Sequence, residues 1–251
     1  MLLTVLVGLV VGSFLNVLIT RLPAGRGLGG RSACPRCGAP IAWYDNVPLV
    51  SFALLRGRCR ACRGPIGWRY PLVEAATAGL FALAHARHGA SPELALAALF
   101  LAGLVAITAI DLAHQIIPDV LSLPGIAVGL VGSVATGRLA WWDALLGVLV
   151  GGGIFWVIVH ATVLVLGRPG MGGGDVKLGA MLGAFLGWQA VLVAVFVAVL
   201  LGGALAAVLL GAKLRGRKEP IPFGPFLALG GVVAYFWGEP IVAWYVSGLL
   251  P

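Results

Sequence analysis

Charge is what this 251-residue chain has least of: Asp, Glu, Lys and Arg together make up 10% of it, against about 25% in soluble domains. Water cannot be its only solvent. Acids are the scarcer sign, nine Asp and Glu against 17 Lys and Arg, for a net charge of +8. The first apolar run, residues 1–20, has no basic residue ahead of it, and Arg21 follows instead. A cleaved signal peptide has the opposite arrangement, so the run reads as a retained span. No glycine-rich nucleotide fingerprint follows a strand-like stretch, so composition and spacing by themselves point to no nucleotide-type cofactor. The excess basic residues sit in short loops between apolar runs, which marks topology rather than nucleic-acid binding.

What the chain has in abundance is apolar surface: 60% of it is hydrophobic and the mean hydropathy is +1.03. Apolar runs long enough to approach or cross a hydrocarbon core of ~30 Å recur from end to end. Residues 21–69 hold nine of the 17 Lys and Arg against one acid, Asp45, and the positive-inside rule places this loop in the cytoplasm. Spans follow at about 71–85, 93–110, 118–136 and 142–166. The apolar stretch 178–211 is too long for one crossing and splits at its most polar point, Gly187-Trp188-Gln189. A second basic cluster, Lys213, Arg215, Arg217 and Lys218, precedes a last span at about 223–249. With the N-terminus outside, alternation puts that cluster in the cytoplasm, as its charge also demands. The breaks at 111–117 and 167–177 fall on the same side. The expectation is an all-α polytopic membrane protein of about eight transmembrane helices. It divides into a first helix (1–20), a cytoplasmic loop (21–70) and a seven-helix core (71–251).

Two of the nine acids sit at span ends beside apolar helix: Asp111 in AIDLAHQIIPD and Asp175 in MGGGDVK. Acids at such depth are candidates for function. Gly172, Gly174 and Asp175 fit a GxGD pattern, in which missing side chains admit a close backbone, and Asp175 would open a helix whose dipole tolerates its charge. A pair of carboxyls sharing one proton supplies the base and the acid of peptide hydrolysis together, provided tertiary packing brings these two residues into contact. The alternative for each is a helix-end cap. Asp119 follows Pro118 in what reads as a first helical turn and has a structural or supporting part. His114 and Lys177 flank the site as solvated charges or as tuners of it. The stretch Pro222-Phe223-Gly224-Pro225-Phe226 either frees backbone groups for an extended substrate or forms a rigid helix entry.

All four cysteines fall in the first loop, as Cys34-Pro-Arg-Cys37 and Cys59-Arg-Ala-Cys62. Two such knuckles suit a tetrahedral structural zinc ion, with disulfides or a redox couple as the competing reading in a reducing cytoplasm. A closed site of four cysteines folds a loop and activates no water.

The stretches IDLAHQIIPDVLSLP (110–124) and GMGGGDVKLGAMLGAFLG (170–187) resemble the two aspartate motifs of the type IV prepilin peptidases. GSFLNVLITRLP (12–23), the segment from Trp43 to Glu74 and IPFGPFLALGG (221–231) are similar to that family in the same order. The resemblance implies an aspartyl protease of the bacterial inner membrane with Asp111 and Asp175 as its catalytic pair. It would cut the basic leader of type IV prepilins or type II secretion pseudopilins after a Gly, at the cytoplasmic face. Family members with this first loop also methylate the new N-terminus from S-adenosylmethionine, and Asp45, Asn46 and Glu74 are the polar positions of the matching stretch to test. Two rivals remain: a presenilin or signal-peptide-peptidase type of GxGD protease, and an ion-coupled transporter whose aspartates bind protons or cations. The sequence leaves the oligomeric state open.

Overall fold

The computed structural model describes residues 1–168, 170–212 and 221–249. The basic cluster Lys213, Arg215, Arg217 and Lys218 lies outside the described residues. Regular structure among the described residues is helical: eight α-helices and one 3-10 turn, with two isolated β-bridges. Among the described residues five helices are long and apolar enough to cross a membrane: α1 (Leu2–Arg21), α4 (Pro92–His114), α6 (Trp141–Leu166), α7 (Gly173–Gly211) and α8 (Gly224–Leu249). α5 (Asp119–Ala135) is apolar but shorter at 17 residues, and α3 (Arg69–His88) is more polar. The 39-residue α7 is broken at Gly187, whose φ of 78° is non-helical. That break falls on the Gly187-Trp188-Gln189 point where the polarity of the sequence places it. Counting its two halves separately, and α3 and α5 with the rest, gives eight long helical segments among the described residues, of which the five helices named above have the length and apolarity of a membrane span.

The chain forms two compact units, Met1–Ala109 and Ile110–Pro251. In the first, α1 packs along α3 through Gly8 and Gly12, one turn apart. A Cβ on Gly8 would stand 2.7 Å from Ala78 Cα, and one on Gly12 2.7 Å from Glu74 Cα. Lipid supplies no hydrophobic force between helices, so close backbone approach has to supply the attraction. Asn16, on the same helix, donates through Nδ2 to Tyr70 O at 3.1 Å. The Arg21 guanidinium, at the end of α1, donates to the carbonyls of Gly27, Leu28, Gly29 and Arg31 and so folds back the chain that leaves the helix. The loop beyond holds the 3-10 turn Trp43–Asn46 and the short α2 (Val50–Leu54).

The second unit is organised on α7, which packs against α5, α6 and α8. Gly147 and Gly151 of α6 face Gly183 and Gly179 of α7, and a Cβ on any of the four would collide with the partner's backbone carbonyl. Both pairs have the small-xxx-small spacing that lets two helix backbones touch. Ser133 of α5 donates to Ala184 O at 3.2 Å, satisfying itself where no water reaches. At the Gly187 break the Trp188 N–H is left without a helical partner and donates to Asp143 Oδ1 at 3.0 Å. Asp143 therefore caps the second half of α7.

Candidate active site and metal centre

The end of α4 lies four residues beyond the sequence-based boundary at Ile110. Leu112 and Ala113 continue the helix, until Gln115 turns at φ 54° and Pro118 forbids a further turn. Asp111 therefore stands in the last turn of a helix rather than in a loop, and it is 4% exposed. Asp175 is 8% exposed in the first turn of α7, after the N-cap Gly172. The two residues, 64 positions apart in sequence, are drawn together where Gly174, next to Asp175, packs on Ile117, six residues after Asp111.

A third helix completes the arrangement. The Gly224 N–H, at the N-terminus of α8, donates to Asp111 Oδ2 at 3.0 Å. A Cβ on Gly224 would sit 2.6 Å from that oxygen, so only glycine brings the amide this near. Each aspartate thus lies at a helix N-terminus, Asp175 at that of α7 and Asp111 at that of α8, where unpaired N–H groups and the helix dipole favour negative charge. Gly174 serves a different purpose, since a Cβ there would stand 2.8 Å from Ile117 Cβ. Its bare backbone admits the link between α4 and α5. Gly172 is less constrained: its Cβ would meet Asp175 Oδ2 at an ordinary 3.6 Å.

Asp119 opens α5, as the Pro118-Asp119 pair suggests, and both its oxygens accept from Lys177 Nζ, at 2.6 and 2.7 Å. Asp119, read as structural or supporting, and Lys177, one of the two flanking residues, are therefore partners of one another. His114 ends α4 and is exposed.

In the first unit the sulfurs of Cys34, Cys37, Cys59 and Cys62 all lie within 4.8 Å of one another, and none forms a disulfide. The Cys34 and Cys62 sulfurs are 3.9 Å apart. Zinc–sulfur bonds of ~2.3 Å in a tetrahedron place sulfurs about 3.8 Å apart, so the spacing fits a metal ion of that kind. The two knuckles repeat one design. Cys34 N–H donates to Ala39 O and Cys59 N–H to Gly64 O, while Gly38 and Arg63, four residues after each leading cysteine, turn at φ 71° and 58° and donate back to it. Backbone N–H groups of Cys37 and Arg36 bring the Cys34 thiol down to about 6, while desolvation and the neighbouring Cys34 and Cys62 sulfurs push Cys37 up to about 11, so Cys34 is the thiol of this pair that ionises first.

Beside the knuckles lies a cavity of about 590 Å³, with Cys34 and Cys59 in its wall. Asp45, Asn46 and Glu74 all line it. Asp45 is engaged: Arg60 donates to both its oxygens, at 2.8 and 2.7 Å, and holds its carboxyl below the usual range. Glu74 is 8% exposed and accepts the Leu49 N–H at 2.9 Å. Asn46 is exposed at the end of the 3-10 turn.

Two family models match the chain, the Bacterial Peptidase A24 N-terminal domain over residues 6–88 and the Type IV leader peptidase family over residues 98–207. The prepilin leader peptidase/N-methyltransferase of Aeromonas hydrophila is 40% identical, with 98% of this chain and 93% of that protein covered. Proteins of the same name from Pseudomonas aeruginosa and Burkholderia pseudomallei are 39% and 42% identical, over 97% and 94% of this chain and 92% and 85% of theirs. The chain belongs to the type IV leader peptidase family. No solved structure matches it.

For a member of the leader peptidase family, two features of this site are absent from the sequence reading. Gly224 was legible as a glycine between prolines, but its N–H goes to Asp111 rather than standing free for a substrate. Arg60 is one of nine basic residues of a cytoplasmic loop by composition, and only the fold pairs it with Asp45.

Proposed function

We propose that this chain cleaves the leader of type IV prepilins, or of type II secretion pseudopilins, with Asp111 and Asp175 as the catalytic pair, and that it methylates the amine so released. The observation that carries the proteolytic reading is the burial of two aspartates on adjoining segments, the end of α4 and the start of α7, with Gly174 packed on Ile117 between them and the Gly224 amide on Asp111. In hydrolysis one carboxylate takes a proton from water as the water oxygen attacks the scissile carbonyl carbon. The other, protonated, gives its proton to the carbonyl oxygen. Collapse of the tetrahedral species breaks the C–N bond, and the leaving amine takes a proton from the pair. The pair acts as a unit, so neither member is assigned the acid role. The Gly224 N–H fixes which lone pairs of Asp111 face the reacting water, and the Lys177–Asp119 pair ties α5 to the start of α7.

The four cysteines would hold a structural zinc ion, which supplies folding free energy to the loop and leaves no open position for water. For the second activity, the 590 Å³ cavity has the size of a cofactor site, and one acceptor in its wall, Asn16 Oδ1, is buried with no partner. S-adenosylmethionine would supply an electrophilic methyl group there. Glu74 and Asn16 would hold and orient ligand groups, and Asp45 would fix the loop through Arg60. The basic loop supports an inner-membrane orientation with the N-terminus outside and the aspartates toward the cytoplasm.

The test is cleavage of a purified prepilin by the chain in detergent, with labelled S-adenosylmethionine present. Loss of cleavage in Asp111→Asn and Asp175→Asn but not in Asp119→Asn supports the pair, and label on the mature N-terminus supports methylation. Normal cutting by either of the first two variants overturns the mechanism, and ion flux without cleavage would favour a transporter.

A further inference from the structure

Two acceptors in the cavity of the first unit lack the partner that burial demands. Asn16 is 3% exposed, and its Nδ2 is committed to two carbonyls, Gly12 O at 3.3 Å and Tyr70 O at 3.1 Å. Since carbonyls only accept, the nitrogen of the amide must face them, and the other end is fixed as the oxygen. That Oδ1 has no hydrogen-bond partner. An orphaned buried acceptor is costly, and native folds rarely keep one without use.

The second acceptor is the carboxylate of Glu74. It is 8% exposed and is served by two neutral donors, the Leu49 N–H at 2.9 Å and the Ser13 hydroxyl. Among the described residues no cation pairs with it. Of the three cations that line the cavity, Arg60 is engaged with Asp45 and Arg21 with loop carbonyls, and Arg36, on the first cysteine knuckle, forms no ion pair with Glu74. Leu49 presents its N–H from φ 59°, a conformation a leucine adopts only when its surroundings impose it. The close approach of α1 to α3 at Gly12, where a Cβ would meet Glu74 Cα, puts both acceptors on one wall.

A buried carboxylate without a cation and an amide oxygen without a donor complement the same group. We propose that Asn16 Oδ1 and the Glu74 carboxylate form a subsite that binds a primary ammonium group inside this cavity. An ammonium brings one positive charge and three donors. A divalent metal ion fits less well, since it would need several oxygen ligands and only one carboxylate is uncommitted. The inference rests on the methyl-transfer reading, in which two ligands carry such a group: the amino-acid moiety of the methyl donor and the newly exposed pilin N-terminus.

The experiment uses the full chain in detergent, wild type against Glu74→Gln and Asn16→Leu, with thermal unfolding to verify that each is folded. Affinities are measured for S-adenosylhomocysteine, which carries the ammonium, and for 5′-methylthioadenosine, which does not. They are also measured for a mature pilin N-terminal peptide, free and N-acetylated. If the donor's ammonium occupies the subsite, both substitutions weaken S-adenosylhomocysteine by about 10-fold or more and leave 5′-methylthioadenosine unchanged. If the peptide's ammonium does, the nucleosides are unaffected and the preference for the free over the acetylated peptide disappears. Either result supports the subsite and names its occupant. Folded variants that keep wild-type discrimination for both ligands overturn the subsite alone. A wild-type chain that binds neither ligand and transfers no methyl group overturns the methyl-transfer reading and the subsite with it. Should Asn16→Leu not fold, Glu74→Gln, which keeps shape and loses only charge, decides by itself.

Discussion

The two compact units are held together by different chemistry. In the first, outside the α1–α3 contact, the loop has little apolar surface to bury, and its order comes from sulfur and charge: four clustered cysteines, the Arg60–Asp45 pair and the Arg21 guanidinium on loop carbonyls. In the second, long apolar helices have no hydrophobic reason to prefer each other over lipid, and glycine does the work, with Gly147 and Gly151 against Gly183 and Gly179. The lesson is that an aqueous loop and a bilayer core face opposite shortages. One lacks apolar area and uses tethers; the other lacks a driving force and uses backbone proximity. The aspartate pair belongs to the second, the cavity to the first, so the two activities proposed should fail to different insults.

The largest effect is expected at the aspartates. Asp111→Asn and Asp175→Asn each remove an ionisable member of a pair that acts as one, and each should lower prepilin cleavage by about 10³-fold or more. Binding of S-adenosylhomocysteine should be unchanged in both, measured by calorimetry on the same preparations. A loss of nucleoside binding in either would mean the activities share a site, and the contrast between the units would break down.

Next comes the glycine seam. Gly183→Val places a branched side chain against the Gly147 carbonyl and forces α6 and α7 apart, at a cost of about 1–3 kcal/mol or more. Cleavage and melting temperature should both fall, while the metal content of the cysteine cluster, read by atomic absorption, stays at the wild-type level.

The reverse insult is directed at the proposed metal site of the four cysteines. Cys59→Ser, or exhaustive chelation, should empty the knuckles and lower methyl transfer by about 10-fold or more, because Cys34 and Cys59 form part of the cavity wall. Cleavage should stay within about 3-fold of wild type, since a closed four-sulfur site takes no part in hydrolysis. Equal loss of both activities would argue against independent chemistry in the two units.

Much of this was legible in sequence because it depends on residue type and order. Apolar length sets the helices, Gly187 marks the break in α7, and paired C-x-x-C motifs mark a cluster that the fold closes. The Asp111 and Asp175 motifs stood out because acids are rare here. What could not be read is what depends on a distance across the fold. Nothing local says that the Gly224 amide, 113 positions from Asp111, reaches its carboxylate, or that Asp143 caps a helix half that resumes at Trp188, 45 positions later. Asn16 carries no local signal in an apolar span, and only the two carbonyls on its nitrogen reveal the idle oxygen.

The smallest effects belong to Lys177–Asp119 and Arg60–Asp45, an ion pair from each unit, and they give the finest test of the contrast. Lys177–Asp119 is exposed, with 37% and 57% of the side chains open to solvent, so Lys177→Met should cost no more than about 1 kcal/mol and lower cleavage only a few-fold. Arg60–Asp45 is bidentate, and the Asp45 side chain is 10% exposed. Hydrogen bonding from Arg60 holds the Asp45 carboxyl below its ordinary 3.8. A carboxylate lowered in this way stabilises the fold above its unfolded value and loses that contribution only as pH falls through the lowered one, so the loop should keep this tether at pH 5 and lose it below about 3.8. Arg60→Met removes the lowering, and the acid transition of the first unit, followed by the fluorescence of Trp43, should then move to higher pH. An unchanged transition would mean that the cysteine cluster alone orders the loop, and that charge contributes as little in the first unit as in the second.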